Sequence, residues 1–469
     1  MLRIADQRAG WMRERITRND ESITTSIETR VSMKRGAIGV EIELVAEFVE
    51  TADGEPISMV SMQRLGMEPV TQRYFFEGET VRVIAEQGGF ENEAIRPAPE
   101  GEWLTPTEAA AYVAALLESG AQEIVVRTID PFSGLEPITI RRRGFEAVTI
   151  EVLGRSVPAV RCETVQSDVP GIRTIEYLGS DGRAIRSETS LGGIPVEIIA
   201  ADRDLARMPV DAPELMARTF VKPSRAIPRP RAATRAVYTL SVPDGELPDL
   251  PTTGAQSVVR LDARSARIEV DASFPSMADE AASEDASLLG RSAMLEVDDP
   301  EIAALRDRAV RGSPERASAR AEAMRRFVHR YVRSKSLDVG FATASEVART
   351  RQGDCTEHAV LLAAMLRADG IPSRVASGLI FVDEFAGADR IFAYHMWTQA
   401  LIESEAGWRW VDLDATLPDS VAFDAAHLTL ATTTFADNEP GNSLVGLVPL
   451  LGRLEIRVDT VEHDHAGLP

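Results

Sequence analysis

The spacing of apolar residues changes along this chain, and the change limits how it can fold. From residue 22 to about 200, apolar and polar residues alternate, as they do in strands with one face in water. In GVEIELVAEF, for example, Val40, Ile42 and Leu44 alternate with glutamates. The later part of the chain begins with helical patterns and then returns to alternation. These patterns predict an α+β protein in which strands and helices are segregated along the sequence.

A single helix interrupts the first series of strands. Thr105 is a predicted N-cap, Pro106 fits the first helical position, and Glu108 completes a capping box. Gly120 is expected to end this helix. We therefore predict a β-rich antiparallel N-terminal domain with one helix at residues 22–205.

The remainder divides by composition and pattern. KPSRAIPRPRAATR is rich in Pro and Arg, which predicts an extended linker at 206–236. Short strands predict a small β segment at 237–290. Helices followed by strands predict an α+β domain at 291–445, and 446–469 are assigned to a C-terminal tail. A length of 469 residues fits about three domains.

Two Pro-containing pairs mark predicted helix starts in the last domain. Asp299-Pro300 is expected to open a helix that runs to about Val310, and Ser313-Pro314 a longer one. A short helix near SEVART then precedes the helix that begins at Asp354 or Cys355.

Charge and hydropathy exclude several classes of partner. The formal net charge is -22, which disfavours nucleic acid and anionic membranes. No apolar run approaches the roughly 18 residues needed for a membrane span. The first twenty residues lack the apolar core of a signal peptide. The sequence as given therefore predicts a cytoplasmic protein, or an exported one if a leader has been removed.

One segment, GDCTEHAVLLAAMLRADGIPSR at 353–374, places a cysteine at a predicted helix start. Asp354 can cap that helix, and Cys355 then meets the positive end of the helix dipole, which favours the thiolate. Downstream lie His395 in YHMW and Asp414 in WVDLDAT. A thiol, an imidazole and a carboxylate are the parts of a cysteine nucleophile with its base and orienting acid.

Other residues compete for these roles. His358 lies three residues after Cys355 on the same helix and is an alternative base, but without an obvious orienting carboxylate. Asp412 and Asp414 share a strand face, so periodicity does not choose between them. A metal site of Cys355, His358, His395 and an Asp is a third possibility, although CxxC or HxxxH clustering is missing. Four histidines have no supporting motif: His329, His427, His463 and His465.

Three segments together resemble the transglutaminase-like superfamily, in its bacterial branch. They are GDCTEHAVLLAAMLRADGIPSRVASGL, YHMWTQALIE and GWRWVDLDAT, and they occur in the order found in the family. The wider match is expected over about 290–440. The resemblance implies a papain-like α+β core, with the nucleophile at a helix N-terminus and the His and Asp on neighbouring strands.

Carried over by position, the resemblance makes Cys355 the nucleophile, His395 the base and acid, and Asp414 the orienting carboxylate. Asp414 is preferred to Asp412 because the family's last block is an Asp followed by Pro or Ala and then Thr. Asp414-Ala415-Thr416 matches that block. Trp397 is expected to pack the strand.

These residues predict a cysteine enzyme that acts on peptide or glutamine amides through a thioester, with hydrolysis favoured over cross-linking. Its partner is expected to be a peptide or protein substrate. No cofactor is expected, and no metal, because a calcium-loop pattern of spaced acids is missing. Gln352 is a candidate oxyanion donor. The alternative is a catalytically silent protein that binds a peptide or ligand through its β-rich N-terminal domain.

Overall fold

A computed structural model of the chain describes residues 1–35, 38–64, 69–87, 90–169, 171–191, 193–278, 280–334, 342–436 and 450–463. The chain divides into two compact units, Met1–Leu215 and Met216–Pro469. Across these described ranges, no helix has both the length and the apolar character required to cross a membrane.

The first unit consists mainly of strands. Their bounds are β1 Leu2–Ile4, β2 Gln7–Arg18, β3 Ser22–Arg35, β4 Ile38–Thr51, β5 Pro56–Arg64, β6 Val70–Glu77, β7 Thr80–Gln87, β8 Phe90–Pro97, β9 Glu123–Thr128, β10 Ile138–Val152, β11 Arg155–Gln166, β12 Arg173–Leu178, β13 Ala184–Leu191 and β14 Ile194–Ile199. The unit also contains helix α1, Pro106–Glu118, and the single-turn helix α2, Arg203–Ala206.

All fourteen of these strands belong to one antiparallel sheet. Its order is β8-β7-β6-β5-β4-β3-β2-β1-β14-β13-β12-β11-β10-β9. Every pair of adjacent strands in this sheet is consecutive in the chain, except that β1 pairs with β14. The outermost strands β8 and β9 are consecutive in the chain and are connected through α1. Alternation in β4 buries Ala46 and Phe48 and leaves Glu47 exposed, as the sequence predicts.

Several local predictions for this unit agree with the structure. Thr105 caps α1 in a capping box with Glu108, and the helix ends at Glu118 just before Gly120. The Asp181-Gly182 pair, which predicts a hairpin turn from the sequence, lies in the turn between β12 and β13.

Two features of this sheet differ from the sequence analysis. Strands β1 and β2 lie ahead of residue 22, where the predicted domain began. The alternation of the sequence also predicts separate strands at 137–143 and 146–153. In the structure they are one strand, β10, whose pairing with β11 shifts register between Arg143 and Glu146. A bulge adds a residue to one strand without ending the ladder, so it breaks the alternation and imitates a strand boundary.

The second unit contains helices and two smaller groups of strands. Its strands are β15 Ala233–Ser241, β16 Gln256–Asp262, β17 Ser265–Asp271, β18 Ser373–Phe385, β19 Ala388–Ser404, β20 Gly407–Leu413, β21 His427–Thr433 and β22 Glu455–His463. Its helices are α3 Met216–Thr219, α4 Glu280–Glu284, α5 Pro300–Ala309, α6 Ala317–Tyr331, α7 Ala344–Thr350 and α8 Cys355–Ala368. Two short 3₁₀ turns span Pro230–Ala232 and Ala286–Leu288.

Two antiparallel four-stranded sheets organise this unit, with orders β16-β17-β15-β22 and β20-β19-β18-β21. One apolar core joins helices α5 to α8 to the second sheet through residues such as Leu362, Val375 and Ala400. Another joins the two sheets through residues such as Tyr238 and Phe381. The unit is therefore layered as helices, sheet and sheet, and α8 is buried along almost its whole length.

Two helix starts in this unit lie where the sequence predicts them, and one does not. Asp299 caps α5 and Asp354 caps α8, as expected. Helix α6 begins at Ala317 and not at the Ser313-Pro314 pair. The Ser313 N–H donates to the Val310 carbonyl at 2.9 Å, so the pair belongs to the turn that leaves α5.

Segments assigned to a linker and to a tail make specific contacts. Strand β22 lies within the stretch assigned to the tail and pairs with β15, more than 200 residues earlier in the chain. In the Pro/Arg stretch, Arg225 donates to the Val458 carbonyl of β22 at 2.9 Å. The predicted fold class is confirmed: the protein is α+β, with a β-rich N-terminal sheet and a C-terminal α+β domain.

Candidate active site

The N-terminus of α8 is fixed by a reciprocal cap. An Asp354 carboxylate oxygen accepts the Thr356 N–H at 2.9 Å, while Glu357 accepts the Asp354 N–H at 2.8 Å. Gly353 has a φ of 149°, and a Cβ at this position would overlap the folded-back side chain of Glu357. A glycine before the cap therefore allows the chain to enter α8 with Cys355 at the first helical position.

Helix α8 is tied to the strand that carries His395. Thr356 Oγ1 lies 3.4 Å from Met396 Sδ, and Thr398 donates its hydroxyl to the Ala359 carbonyl at 2.9 Å. These contacts fix the position of α8 along strand β19. Cys355 itself is only partly buried. Its backbone is therefore fixed by the helix start, while the residue remains accessible to solvent.

The His395 ring contacts a carboxylate and is influenced by the thiol. Its Nε2 is 2.8 Å from Asp414 Oδ2, and the Cys355 side chain is close enough to the ring to favour its protonation. A carboxylate can only accept, so Nε2 carries a hydrogen and Nδ1 is the nitrogen left to face Cys355. The structure therefore brings together the three residues predicted from the sequence: Cys355, His395 and Asp414.

Asp414 is held by four hydrogen bonds. Thr416 donates both its backbone N–H and its hydroxyl to Oδ1 at 2.7 Å, while two imidazoles contact Oδ2. The backbone is fixed as well, because Arg325 of α6 donates to the Asp414 carbonyl at 3.2 Å and His329 contacts the next carbonyl. The carboxylate is thus oriented from both ends before any ligand binds.

Asp412 has a different environment, which separates it from Asp414. It accepts from the Trp397 indole N–H at 2.7 Å, from the Gln399 amide at 2.8 Å and from the Ala255 N–H at 2.7 Å. Burial raises its pKa above the usual value. No hydrogen bond joins Asp412 to His395 among the described residues. Asp412 therefore anchors Trp397, which stacks near His395 with ring centroids 6.0 Å apart.

A second histidine, His427 at the start of β21, also belongs to the site. Its Nε2 is 3.3 Å from Asp414 Oδ2, and its Nδ1 is 3.0 Å from Asp424 Oδ1. The sequence analysis found no motif for His427. Only the pairing of β21 with β18, in which His427 lies opposite Ile380, brings it beside the other site residues.

The electrostatics of the site favour charged imidazoles and an ionised carboxylate. Burial lowers the pKa of His395, but the charge and hydrogen bond of Asp414 outweigh it and raise the value to about 9. Burial likewise opposes protonation of His427, but Asp424 and Asp414 raise its pKa to about 9. Burial raises the pKa of Asp414, yet the two histidines hold it well below the usual range.

The remaining candidates occupy other positions. His358 Nδ1 lies 2.6 Å from the Asp354 carbonyl within α8. Gln352 is exposed and bridges to Ser334 through the backbone. His465 lies outside the described residues.

Ligand atoms of His395, Asp414 and His427 lie within 4.8 Å of one another, a different set from the metal site considered above. The hydrogen bonds to Asp414 account for their closeness without an ion.

A comparison of the sequence with known families gives a match in this region. A family model described as the transglutaminase-like superfamily matches residues 303–415, which run from α5 to the residue after Asp414. The search of curated proteins found no match.

Similar solved structures include three bacterial proteins. A candidate cysteine protease from Cytophaga hutchinsonii has 14% identity and a TM-score of 0.29, with 49% of this chain and 87% of that chain covered. The periplasmic domain of TgpA from Pseudomonas aeruginosa has 17% identity and a TM-score of 0.27, covering 42% and 89%. A β-barrel-like protein of a domain of unknown function from Brucella abortus has 14% identity and a TM-score of 0.30, covering 40% and 87%.

At these TM-scores the solved structures carry no functional inference. The family match rests on the segment that holds the Cys355 helix, the His395 strand and Asp414. The resemblance predicted from the sequence is confirmed, and residues 303–415 form a domain of the transglutaminase-like superfamily.

Proposed function

We propose that this protein is a cysteine enzyme that cleaves amide bonds of peptides or glutamine side chains through a thioester. The observation that carries the proposal is the His395 ring, which contacts Asp414 at 2.8 Å and is close enough to Cys355 to interact with it. This is the arrangement of nucleophile, base and orienting acid that activates a thiol. Cys355, His395 and Asp414 take those three roles in the proposal.

The first chemical step uses the thiolate and the imidazolium. Cys355 Sγ attacks the carbonyl carbon of the amide, and the carbonyl electrons move to oxygen. His395 then gives its Nδ1 proton to the leaving nitrogen, the C–N bond breaks, and a thioester remains. Asp414 holds the ring in the tautomer and orientation that this transfer requires.

The N-terminus of α8 can stabilise the oxyanion of that step. The Asp354 side chain accepts hydrogen bonds from the N–H groups of Thr356 and Glu357. The Asp354 carbonyl accepts one from the N–H of His358. Among the described residues, the Cys355 N–H has no acceptor. It lies next to the nucleophile, at the positive end of a 14-residue helix. We assign it as one oxyanion donor.

The thioester is resolved by an acceptor, and we favour water. His395, now neutral, removes a proton from water as the water oxygen attacks the thioester carbon. The C–S bond breaks, an acid is released, and the thiolate and imidazolium are restored. Water needs no acceptor site of its own, whereas an amine needs one. Hydrolysis therefore requires fewer binding features in the protein than cross-linking does.

The thiol claim can be tested without knowing the substrate. The rate of alkylation of Cys355 by iodoacetamide at pH 6 should exceed that in a His395→Gln variant by at least about tenfold, since a protonated His395 stabilises the thiolate. Mass spectrometry of digested protein gives the rate for each cysteine. Cys162 is an internal control, because it is 0% exposed and its labelling reports only unfolding.

The acceptor can be tested with glutamine-containing peptides. The wild-type protein should release ammonia and form glutamate without added amine, in the presence of a chelator, and Cys355→Ala should not. Incorporation of a primary amine in preference to water would contradict hydrolysis and leave the thioester step intact. Equal alkylation rates at Cys355 in the wild type and His395→Gln would instead remove the basis of the whole proposal.

A further inference from the structure

Both ring nitrogens of His427 face carboxylates, which is unusual for a buried histidine. Nδ1 lies 3.0 Å from Asp424 Oδ1 and 3.2 Å from the Asp424 carbonyl, while Nε2 lies 3.3 Å from Asp414 Oδ2. The residue is 1% exposed, so water does not compete with these partners. A neutral imidazole has one N–H and can donate to only one of the two carboxylates.

Both carboxylates have other donors or cations as neighbours. Asp424 Oδ2 lies 2.8 Å from the Arg231 guanidinium, and its Oδ1 also accepts the Ala426 N–H at 2.9 Å. Asp414 receives donors on both oxygens, as described above. With acceptors at both ends, His427 satisfies its surroundings only as an imidazolium with a hydrogen on each nitrogen.

We propose that His427 is a positioning residue: held as an imidazolium between Asp424 and Asp414, it shares the Asp414 carboxylate with His395 and limits how strongly His395 holds its proton. The inference rests on the proposed function, because it concerns the base of that reaction. It adds a residue to the site that neither the sequence motifs nor the matched range 303–415 contains.

The distances give the direction of the effect. The rings of His395 and His427 are 5.9 Å apart, and both contact the same oxygen of Asp414, at 2.8 and 3.3 Å. A positive charge on one ring therefore disfavours a proton on the other. His395 makes the shorter contact and remains the main partner of Asp414.

Other charged groups around His427 do not reverse this direction. Arg231 pairs with Asp424 Oδ2 and offsets part of its charge, while Asp424 Oδ1 remains in contact with His427. Asp412 adds negative charge from β20 and interacts with His427, which favours protonation of that ring. Phe423 packs against the His427 ring at 4.3 Å between centroids, and Trp397 approaches edge-on at 5.4 Å. The aromatic rings fix the imidazole in place but do not supply its charge.

Such a device suits a group that must act as both acid and base. With a buried carboxylate as its only charged partner, His395 would have a raised pKa and would release its proton to the leaving nitrogen less readily. Acid–base catalysis is most efficient when the pKa of the group is near the working pH. By sharing Asp414, His427 weakens the hold of the carboxylate on the His395 proton without removing the hydrogen bond that orients the ring.

The test follows alkylation of Cys355 by iodoacetamide between pH 5 and pH 10.5 in the full-length protein. When His395 loses its proton, the thiolate loses its ion-pair partner and reacts faster, so the profile has a basic step. His427→Gln keeps an N–H donor toward Asp414 but removes the charge. We expect this variant to move the basic step upward by about one pH unit, because the Asp414 charge then acts on His395 alone.

Two further variants support the assignment. Asp424→Asn removes the anion that keeps His427 charged, and it should move the step in the same direction by a smaller amount. It also provides a second measurement if His427→Gln does not fold. In His395→Gln, Cys355 should react only as its own thiol loses a proton, so the reactive plateau below the wild-type step should disappear. Loss of that plateau assigns the wild-type ion pair, and the step that ends it, to His395.

The outcomes separate this inference from the proposed function. A basic step in the wild type that stays in place or moves downward in both His427→Gln and Asp424→Asn would overturn the role of His427 and leave the thiol chemistry intact. A wild-type profile with no dependence on His395 would remove the proposed function itself. Stoichiometric zinc in the purified wild type that is lost in His427→Gln would make the three residues a metal site and also overturn the inference.

Discussion

At the scale of single residues, two buried aspartates two positions apart have different roles. Asp414 contacts both imidazoles, whereas Asp412 contacts Trp397, Gln399 and the Ala255 N–H. Each carboxylate has donors on both oxygens. Replacement of either aspartate by asparagine turns one acceptor into a donor, so both changes leave buried donors without an acceptor.

The first prediction compares these two substitutions. Asp414→Asn should lower the proposed amidase activity by at least about a hundredfold, because His395 loses the anion that stabilises its charged form and fixes its tautomer. Asp412→Asn should lower the activity by less than about tenfold. Both should cost about 1–3 kcal/mol of unfolding free energy, so stability alone does not separate them.

Asp412→Asn thus serves as the matched control for Asp414→Asn. The pair is measured by glutamine-peptide hydrolysis and by alkylation of Cys355 at pH 6. An Asp412→Asn variant that loses as much activity as Asp414→Asn would mean that the orienting role is not confined to Asp414.

At the scale of elements, the start of α8 decides where the thiol lies. The capping box joins Asp354 to Glu357, and Glu357 also accepts the Ala342 N–H at 3.0 Å. Burial and the nearby Asp354 charge raise the pKa of Glu357 to about 8. The entry into the helix therefore combines an unusual backbone angle with a buried, hydrogen-bonded acid.

The second prediction concerns Gly353→Ala. The new Cβ would overlap Glu357, and the backbone angle disfavours any side chain, so the variant should lose about 2–4 kcal/mol of unfolding free energy. Displacement of the helix start should also slow alkylation of Cys355. Stability is followed by hydrogen exchange of peptides from α8, and reactivity by mass spectrometry.

The control for that change is Gly370→Ala at the other end of α8. Gly370 has a φ of 76°, but a Cβ there meets open space. Only backbone strain of about 1 kcal/mol is expected, with no effect on Cys355. Equal losses in both variants would show that contact with Glu357 does not matter.

At the scale of the whole molecule, the second unit depends on strands from distant parts of the chain. Tyr238 of β15 and Ile268 of β17 pack in one core with Phe381, Phe392 and Leu428 of the sheet that carries the site. Strand β22 completes the sheet of β15. We propose that the folding unit around the site runs from Met216 to the end of β22, and not over 291–445 alone.

The third prediction follows from that core. A fragment of residues 216–469 should be soluble and should retain the reactivity of Cys355, because both sheets and their shared core are present. A fragment of residues 291–445 should aggregate, since it exposes the face of Phe381 and Phe392 that β15 and β17 cover. Solubility, circular dichroism and alkylation test this. A folded, reactive 291–445 fragment would contradict the proposed unit.

The sequence by itself determined the local features of this protein. Alternating apolar residues gave most strands of the large sheet, and the capping residues Thr105, Asp299 and Asp354 gave the starts of three helices. Three short motifs predicted the family and the three candidate site residues. Period, capping and motif are properties of neighbouring residues, and they can be read without knowledge of the fold.

Only the tertiary structure decided which distant groups meet. Pairing of β21 with β18 brings His427 to Asp414, and pairing of β22 with β15 places the end of the chain in the core of the second unit. Strand order and register depend on packing between residues far apart in sequence, which no local pattern contains. The sequence therefore predicted Cys355, His395 and Asp414, while their connection to His427, Asp424 and Arg231 depended on how the sheets assemble.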